Sequence, residues 1–199
     1  MVEQLEKLDQ QLFLFLNSIN SPFWDPIMNA LTGKLIWVPL YIAILFFMAM
    51  KYKRKFYIIV LFIILAAILA DQSSVFIKNL VQRSRPCHEP VLEGLVHMFN
   101  KQCGGLYGFV SSHASNSFDV AVISLLFIGK RWYTVFIILW ALIVSYTRIY
   151  LGVHYPGDVL CGSLLGIIIG WSVYRLYVLT DQKILQHNEY FSKPDISIT

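Results

Sequence analysis

Charged residues are scarce in this sequence: only 14% of its 199 residues are Asp, Glu, Lys or Arg, whereas 57% are hydrophobic. A soluble domain cannot bury so large an apolar fraction, so the composition indicates a protein embedded in the lipid bilayer. The basic residues give a net charge of +4 but are dispersed between apolar runs. This dispersal excludes the continuous basic surface that nucleic acids require, and we expect no nucleic-acid partner.

The sequence also lacks a secretory signal at its start, an internal repeat and a low-complexity segment. The opening residues MVEQLEKLDQQ have neither the basic start nor the apolar middle of a signal peptide. Membrane insertion is therefore expected to depend on the later apolar segments. Duplicated halves and broken helices, which are frequent in transporters, are not visible either.

Five apolar runs approach or reach the length that a helix needs to cross a hydrocarbon core about 30 Å thick. We predict an all-α, polytopic transmembrane bundle in which residues 35–179 form one domain and residues 180–199 a polar cytoplasmic tail. The predicted spans are residues 35–50, 56–77, 114–129, 132–150 and 159–179.

A sixth span within residues 1–34 is the less favoured interpretation, because polar residues and prolines interrupt them. Large apolar side chains nevertheless recur at helical spacing, a pattern typical of an amphipathic helix lying in the membrane interface. They are Leu5, Leu8, Leu12, Phe15 and Ile19. A second short helix beginning at Trp24 is expected at the headgroup level, where tryptophan is enriched.

The connectors between the spans differ in charge. Basic residues crowd positions 51–55 and 130–131, which places those connectors on the cytoplasmic side of the membrane. The loop at 78–113 and the connector at 148–158 then lie on the extracytoplasmic side. That side also carries five basic residues, which the positive-inside bias would not predict: Lys78, Arg83, Arg85, Lys101 and Arg148. An anionic ligand would explain this excess of positive charge.

Three polar clusters stand where the predicted spans meet the extracytoplasmic face. They are Lys78 with Arg85, then Ser111, Ser112 and His113, and finally Arg148 with His154 and Asp158. Arginine forks, a lysine charge and the free amides of a helix start are groups that bind phosphate oxygens. The predicted phosphate-binding residues are Lys78, Arg85, Ser111, Ser112 and Arg148.

The remaining residues of the clusters suit phosphoryl transfer. His154 and Asp158 are four positions apart, so the carboxylate can hold one ring nitrogen while the other attacks phosphorus and forms a phosphohistidine. His113 is placed to protonate the departing oxygen and then to activate water. Asp119, deeper in the same span, is either support for this site or a buried carboxylate paired with another polar residue.

The three clusters resemble the three-part signature of the type 2 phosphatidate phosphatases, also called lipid phosphate phosphatases. The matching residues are Lys78-x6-Arg85-Pro86, Ser111-Ser112-His113 and Arg148-x5-His154-x3-Asp158, in the family's order and spacing. The resemblance implies a helical membrane fold, a site at the outer leaflet, the residue roles given above, and no metal or other cofactor. We expect a protein of a bacterial inner membrane whose partner is a phosphorylated lipid.

The chain departs from the family's motifs at three positions. Val110 and Ser112 stand where the second motif usually has proline and glycine, and Thr147 stands where a serine usually precedes the arginine. Serine is less free than glycine to adopt positive φ, so the turn of the phosphate cradle is expected to differ. No catalytic group is lost.

The motifs would bind a phosphate and not the lipid tail, so several substrates remain open. Undecaprenyl diphosphate is the first candidate, and phosphatidylglycerol phosphate, phosphatidate and a lipid A phosphate are alternatives. An alternative from another class is a non-catalytic phosphate- or lipid-binding membrane protein, in which the histidines would be dispensable.

Two cysteines, Cys87 and Cys103, flank the outer loop, where they form either a disulfide or two free thiols. Together with His88 and His97 they lack the paired short intervals of a structural zinc site, so no metal is predicted. Arg83 and Lys101 either contact lipid headgroups or are solvated, and solvation is the expectation.

Asp71 is a carboxylate inside the second predicted span. A charge at that depth is costly unless it is paired, so an ion pair is expected there.

Overall fold

The structure is a computed structural model that describes residues 2–101 and 103–192. These residues form seven α-helices joined by turns and short 3₁₀ segments, without a β-strand among them, which confirms the all-α prediction. The helices are α1 (Val2–Ser18), α2 (Trp24–Leu31), α3 (Val38–Tyr52), α4 (Phe56–Val81), α5 (Ser112–Ile128), α6 (Arg131–Tyr150) and α7 (Pro156–Ser192).

Helices α3 to α7 coincide with the five predicted spans. By length and hydropathy the candidate membrane-crossing stretches are Leu35–Val81, Arg131–Tyr150 and Pro156–Gln182, and Ser112–Ile128 is a shorter apolar helix. The first stretch contributes two helices, because a turn that begins at Lys53, with φ 46°, separates α3 from α4. The chain is thus an integral membrane protein built on a helical bundle.

Helix α5 lies at the centre of the bundle, between α4, α6 and α7. Three glycines of α7 face it, and a Cβ at Gly166 would collide with the backbone oxygen of Ser115. At Gly162 a Cβ would similarly meet the backbone of Ser111. Glycine spacing therefore lets the two helices approach backbone to backbone, as in many membrane helix pairs, and brings the start of α5 against the start of α7.

The opposite end of the bundle is closed by aromatic and ionic contacts. The Phe127 ring packs edge-on against Tyr174 and Tyr177, with ring centroids 5.1 and 5.0 Å apart. Lys51 Nζ donates hydrogen bonds to the last carbonyls of α5, including that of Phe127 at 2.8 Å. These contacts satisfy backbone groups that a helix end leaves unpaired and fix the end of the bundle away from the three polar clusters.

The outward faces of the spanning helices are apolar. Phe46, Leu61, Leu139 and Ile168, from four different helices, are all exposed in the protein alone. A belt of such side chains would be unfavourable in water and is what the hydrocarbon core of a bilayer covers.

Both N-terminal helices pack against α6, and α1 also packs against α7. In α1, Phe13 and Asn17 are buried, whereas the apolar residues Leu5, Leu8 and Leu12 point outward. The outward apolar side agrees with an amphipathic helix, and its location in the membrane interface stays a prediction. At the other end of the chain, α7 continues beyond the predicted span to Ser192, and residues 193–199 of the predicted tail lie outside the described residues.

Candidate active site

The three polar clusters meet at one end of the bundle. Lys78 Nζ, at the end of α4, donates a hydrogen bond of 2.8 Å to Ser112 Oγ at the start of α5. Ser111 N donates to the backbone oxygen of Asp158, at the start of α7, at 3.0 Å. The first cluster is therefore joined to the second and the second to the third, although the residues are far apart in the sequence.

His154 and Asp158 form the buried centre of this end. The imidazole Nδ1 lies 3.3 Å from Asp158 Oδ2, and the two residues are 1% and 0% exposed. Tyr155 N also donates to Oδ2, at 3.1 Å. Because α7 begins at Pro156, the first helical turn carries the carboxylate back to the imidazole, as the four-residue spacing predicted. With Nδ1 held by the carboxylate, Nε2 is the nitrogen left to react.

The imidazole of His154 is held in its neutral form. Burial lowers the pKa of His154 well below its usual range, and the positive charges of Arg148, Arg85 and Lys78 lower it further. A neutral imidazole keeps a lone pair on the free nitrogen, which a nucleophile needs.

Arg85 and Arg148 line a cavity of about 250 Å³, ample for a phosphate group, together with Thr32 and Val153. Arg85 is held by two backbone oxygens of the outer loop: Nε donates to Tyr107 O at 3.1 Å and Nη1 to Cys103 O at 3.3 Å. Burial lowers the pKa of Arg85, but a guanidinium stays charged at any physiological pH.

Arg148 reaches the same cavity from α6. Its Nη1 donates to Thr32 Oγ1 at 2.6 Å, while its buried Nε has no hydrogen-bond partner among the described residues. A buried guanidinium nitrogen without an acceptor is costly. An anion in the cavity would supply that acceptor.

The two serines of the second cluster differ in their surroundings. Ser111 is fully buried and is the N-cap of α5, with Oγ accepting a hydrogen bond from Ala114 N at 3.4 Å. Ser112 Oγ instead bonds to Lys78 and to Ser74 Oγ, the latter at 2.7 Å. Ser112 therefore fixes the ammonium group, a contact that the glycine usual at this position could not make. The role of both serines as phosphate ligands stays a prediction.

His113 lies in the first turn of α5 and lines a second cavity of about 530 Å³. Thr32 lines both cavities, so the second one adjoins the arginine pair. His113 lies within electrostatic range of Arg148 and His154. The two histidines thus belong to one end of the bundle, as the sequence predicted.

Arg83 is where the sequence prediction was wrong. It was expected to be solvated, but its side chain is only 21% exposed. Its Nη1 donates to Asp158 Oδ1 at 2.9 Å and its Nη2 to Asp9 Oδ2 at 2.8 Å. Burial alone would lower the pKa of Arg83, but the carboxylates of Asp158 and Asp9 reverse this and raise it. The guanidinium is the counter-charge that the buried Asp158 requires.

Asp9 was not predicted at all, because residues 1–34 were interpreted only as an interfacial segment. The signal that could have found it is the spacing of Asp9, Phe13 and Asn17, which places these three residues on one side of an amphipathic helix.

Asp71 also differs from expectation, whereas the role of Asp119 in supporting the site stays a prediction. Asp71 was predicted to form an ion pair, but its Oδ1 accepts from the neutral amide of Asn116 at 3.2 Å. Asp119 is buried against Gly170 of α7, and its Oδ1 has no hydrogen-bond partner among the described residues. An amide donor satisfies a carboxylate oxygen without a second charge, which explains the difference at Asp71.

Cys87 and Cys103 form a disulfide, with Cα atoms 5.9 Å apart. His88 lies beside them, and the three side chains are close enough to surround a metal ion. Bridged sulfurs are not thiolates, however, and thiolates are what a metal binds. The disulfide closes the loop that supplies Cys103 O to Arg85.

Comparison with known proteins gives consistent matches. The PAP2 superfamily model matches residues 56–181, a range that contains all three clusters. The chain is 45% identical over 177 residues to the lipid A 4'-phosphatase of Bacteroides thetaiotaomicron, covering 87% of this chain and 79% of that protein. It is 33% identical over 179 residues to the lipid A 4'-phosphatase of Porphyromonas gingivalis, covering 89% and 76%.

A solved structure is similar as well. The crystal structure of Aquifex aeolicus LpxE superimposes with a TM-score of 0.67 at 26% identity, covering 84% of this chain and 95% of that one. The similarity thus extends over the whole bundle and is not confined to the motifs.

Proposed function

Since the chain belongs to the PAP2 superfamily and is an integral membrane lipid phosphate phosphatase, we propose that its substrate is lipid A and that it removes the 4'-phosphate. The observation that carries this choice is the 45% identity, over most of both chains, to a lipid A 4'-phosphatase. A non-catalytic phosphate-binding protein is not favoured by any specific feature of the site.

The reaction begins with His154. Nε2 attacks phosphorus in line with the lipid oxygen, the P–N bond forms, and the P–O bond to the lipid breaks. Asp158, at 3.3 Å from Nδ1, supports the positive charge that the ring acquires. His113 gives its proton to the departing oxygen and then takes one from the water that cleaves the P–N bond, releasing inorganic phosphate.

The cations around the cavity bind the phosphoryl group. Arg85 and Arg148, which line the cavity, offer planar forks to the non-bridging oxygens. Lys78, which is hydrogen-bonded to Ser112, adds a point charge. Because protein carbonyls and hydroxyls already hold these groups in place, they need little reorganisation as charge develops in the transition state.

The cavity beside His113 supports a glycolipid as the leaving group. A leaving group must lie next to the acid that protonates it, and this cavity also exposes Asp71, Gln72 and Asn116 with the Trp37 ring. Carboxylate and amide groups can hydrogen-bond the hydroxyls of a sugar, whereas an isoprenoid chain offers them no hydrogen-bond partner. This supports lipid A over undecaprenyl diphosphate, the first candidate from the sequence.

We place the site on the extracytoplasmic side of a bacterial inner membrane. The basic turn at 53–55 and the basic connector at 130–131 lie at the opposite end of the bundle from His154, in agreement with the positive-inside bias. The Cys87–Cys103 disulfide supports the same side, because such bonds persist in oxidising compartments.

The purified protein in detergent tests the proposal with a panel of lipid A, undecaprenyl diphosphate and phosphatidylglycerol phosphate. We expect phosphate release from lipid A, with mass spectrometry locating the loss at the 4' position, and no release by a folded His154→Ala variant. A preference for undecaprenyl diphosphate would refute the substrate, and normal activity of His154→Ala would refute the mechanism.

A further inference from the structure

Helix α1 presents one continuous contact stripe to the catalytic end of the bundle. Asp9, Phe13 and Asn17 follow one another at four-residue intervals and therefore share a side of the helix. Asn17 Nδ2 donates to the backbone oxygens of Ile149 and Tyr150 at 3.0 and 2.8 Å. These bonds attach α1 to the end of α6, four residues before His154.

The Phe13 ring continues the stripe. It is fully buried and packs edge-on against the ring of Tyr155, next to His154 in the sequence, with centroids 5.4 Å apart. Aromatic pairs in this arrangement are attractive beyond their buried area. Together with the bonds of Asn17, this contact fixes the position of Asp9 relative to the start of α7.

Asp9 uses both of its carboxylate oxygens. Oδ2 accepts from Arg83 Nη2 and Oδ1 accepts from Gly157 N, each at 2.8 Å. A Cβ at Gly157 would lie only 2.8 Å from Asp9 Oδ2, so a larger residue there would displace the carboxylate. The carboxylate thus holds the guanidinium of Arg83 and the first turn of α7 at once.

Arg83 connects this carboxylate to the catalytic pair. Its other terminal nitrogen bonds to Asp158 Oδ1 at 2.9 Å, and its plane lies over the Tyr155 ring, with Cζ 4.1 Å from the centroid. Both oxygens of Asp158 are therefore bound: Oδ1 by Arg83, and Oδ2 by His154 and Tyr155 N. This fixes the orientation of the carboxylate. The four side chains form one line: Asp9, Arg83, Asp158, His154.

The charges along this line add up to a net value of −1 when His154 is neutral. One guanidinium is shared by two carboxylates, so Asp158 is not fully neutralised by Arg83. When His154 accepts the phosphoryl group its ring becomes cationic, and the remaining negative charge stabilises it. Without the carboxylate of Asp9, Arg83 would be paired to Asp158 alone and would compete with the ring for it.

We propose that Asp9 is a positioning residue for catalysis. By binding Arg83 it fixes the position of the Asp158 carboxylate and keeps its negative charge from being fully neutralised, which makes helix α1 a part of the active site. The inference rests on the proposed nucleophilic role of His154. It goes beyond that role by giving the N-terminal helix, which the family motifs do not include, a catalytic purpose.

The test is Asp9→Asn in the full-length protein, with Glu6→Gln as the matched control that removes one negative charge from the same helix. We expect Asp9→Asn to lower kcat by about tenfold to a hundredfold, the usual effect of losing one charged hydrogen bond. KM should stay within about twofold of the wild-type value, because Arg85, Arg148 and Lys78 are unchanged. Glu6→Gln should have the kcat and KM of the wild type.

A second measurement separates positioning from a general structural effect. In an Asp158→Asn background, Asp9→Asn should lower the residual kcat no further, because its effect passes through the carboxylate of Asp158. If Asp9→Asn acted by damaging the fold, its loss of kcat would instead multiply the loss caused by Asp158→Asn. Multiplied losses, or a wild-type kcat for Asp9→Asn, would overturn the inference.

If Asp9→Asn does not fold, Arg83→Lys replaces it, since lysine keeps the charge but lacks the fork that bridges two carboxylates. The same loss of kcat at constant KM is expected, and a wild-type kcat would overturn the inference. If His154→Ala is inactive while the separate Asp9 and Arg83 variants have wild-type kcat, only this inference is rejected. An active His154→Ala would reject the proposed function itself.

Discussion

Replacing Gly108 by alanine would insert a methyl group directly against the catalytic pair. A Cβ at this position would lie 2.9 Å from Asp158 Oδ2, 3.2 Å from Arg85 Cγ and 3.6 Å from His154 Nδ1. Ordinary contacts begin at 3.4 Å, so the carboxylate would have to retreat by about 0.5 Å. Arg83 and Tyr155 N hold that carboxylate from its other sides, so the shift would disturb the whole line of contacts.

A misplacement of about 1 Å in an active site can cost about a hundredfold in rate. For a shift of about half that size we expect Gly108→Ala to reduce kcat by about tenfold, or about 1.4 kcal/mol. The assay is phosphate release from lipid A in detergent, with thermal unfolding to verify the fold. Gly105→Ala, in the same loop, is the control, because a Cβ there meets no atom within 4 Å. A wild-type kcat for Gly108→Ala would refute the close packing of Gly108 against Asp158.

Two further predictions concern the neighbours of this pair. Changing Cys87 and Cys103 to serine removes the disulfide and should lower kcat/KM several-fold, because Cys103 O positions Arg85. Cys161→Ser is the control, and an unaltered kcat/KM would contradict the role of the loop. Because burial and neighbouring cations lower the pKa of His154, its imidazole should remain neutral as the pH falls from about 8 to about 6, past the ordinary histidine value of about 6.5. Nitrogen-15 NMR, with His154→Gln to assign the signal, measures this, and a midpoint near the ordinary value would disprove it.

The spans and the three clusters could be predicted because each depends on a local pattern. Long apolar runs identify membrane helices, since the bilayer leaves the backbone few other solutions. The contact between His154 and Asp158 follows from their four-residue spacing at a helix start. The motif order then indicates which helix ends share a face of the membrane.

Arg83 and Asp9 could not be predicted in the same way. Arg83 bonds to carboxylates 74 and 75 residues away, and its neighbours in the sequence are those of an ordinary polar loop. Such pairs are determined by how α1 packs on the bundle, and periodicity does not specify packing between distant helices. The amide partner of Asp71, Asn116, is 45 residues away and escaped prediction for the same reason.

The central claim is that His154 carries the phosphoryl group during the reaction. The most direct measurement is rapid quenching of the enzyme with lipid A labelled with phosphorus-32 at the 4' position, followed by mapping of the acid-labile label. We predict a phosphohistidine at His154 and no label in a folded His154→Ala variant. The label should accumulate in His113→Ala, because His113 activates the water that cleaves the P–N bond. Label on another residue, or turnover without any labelled protein, would contradict it.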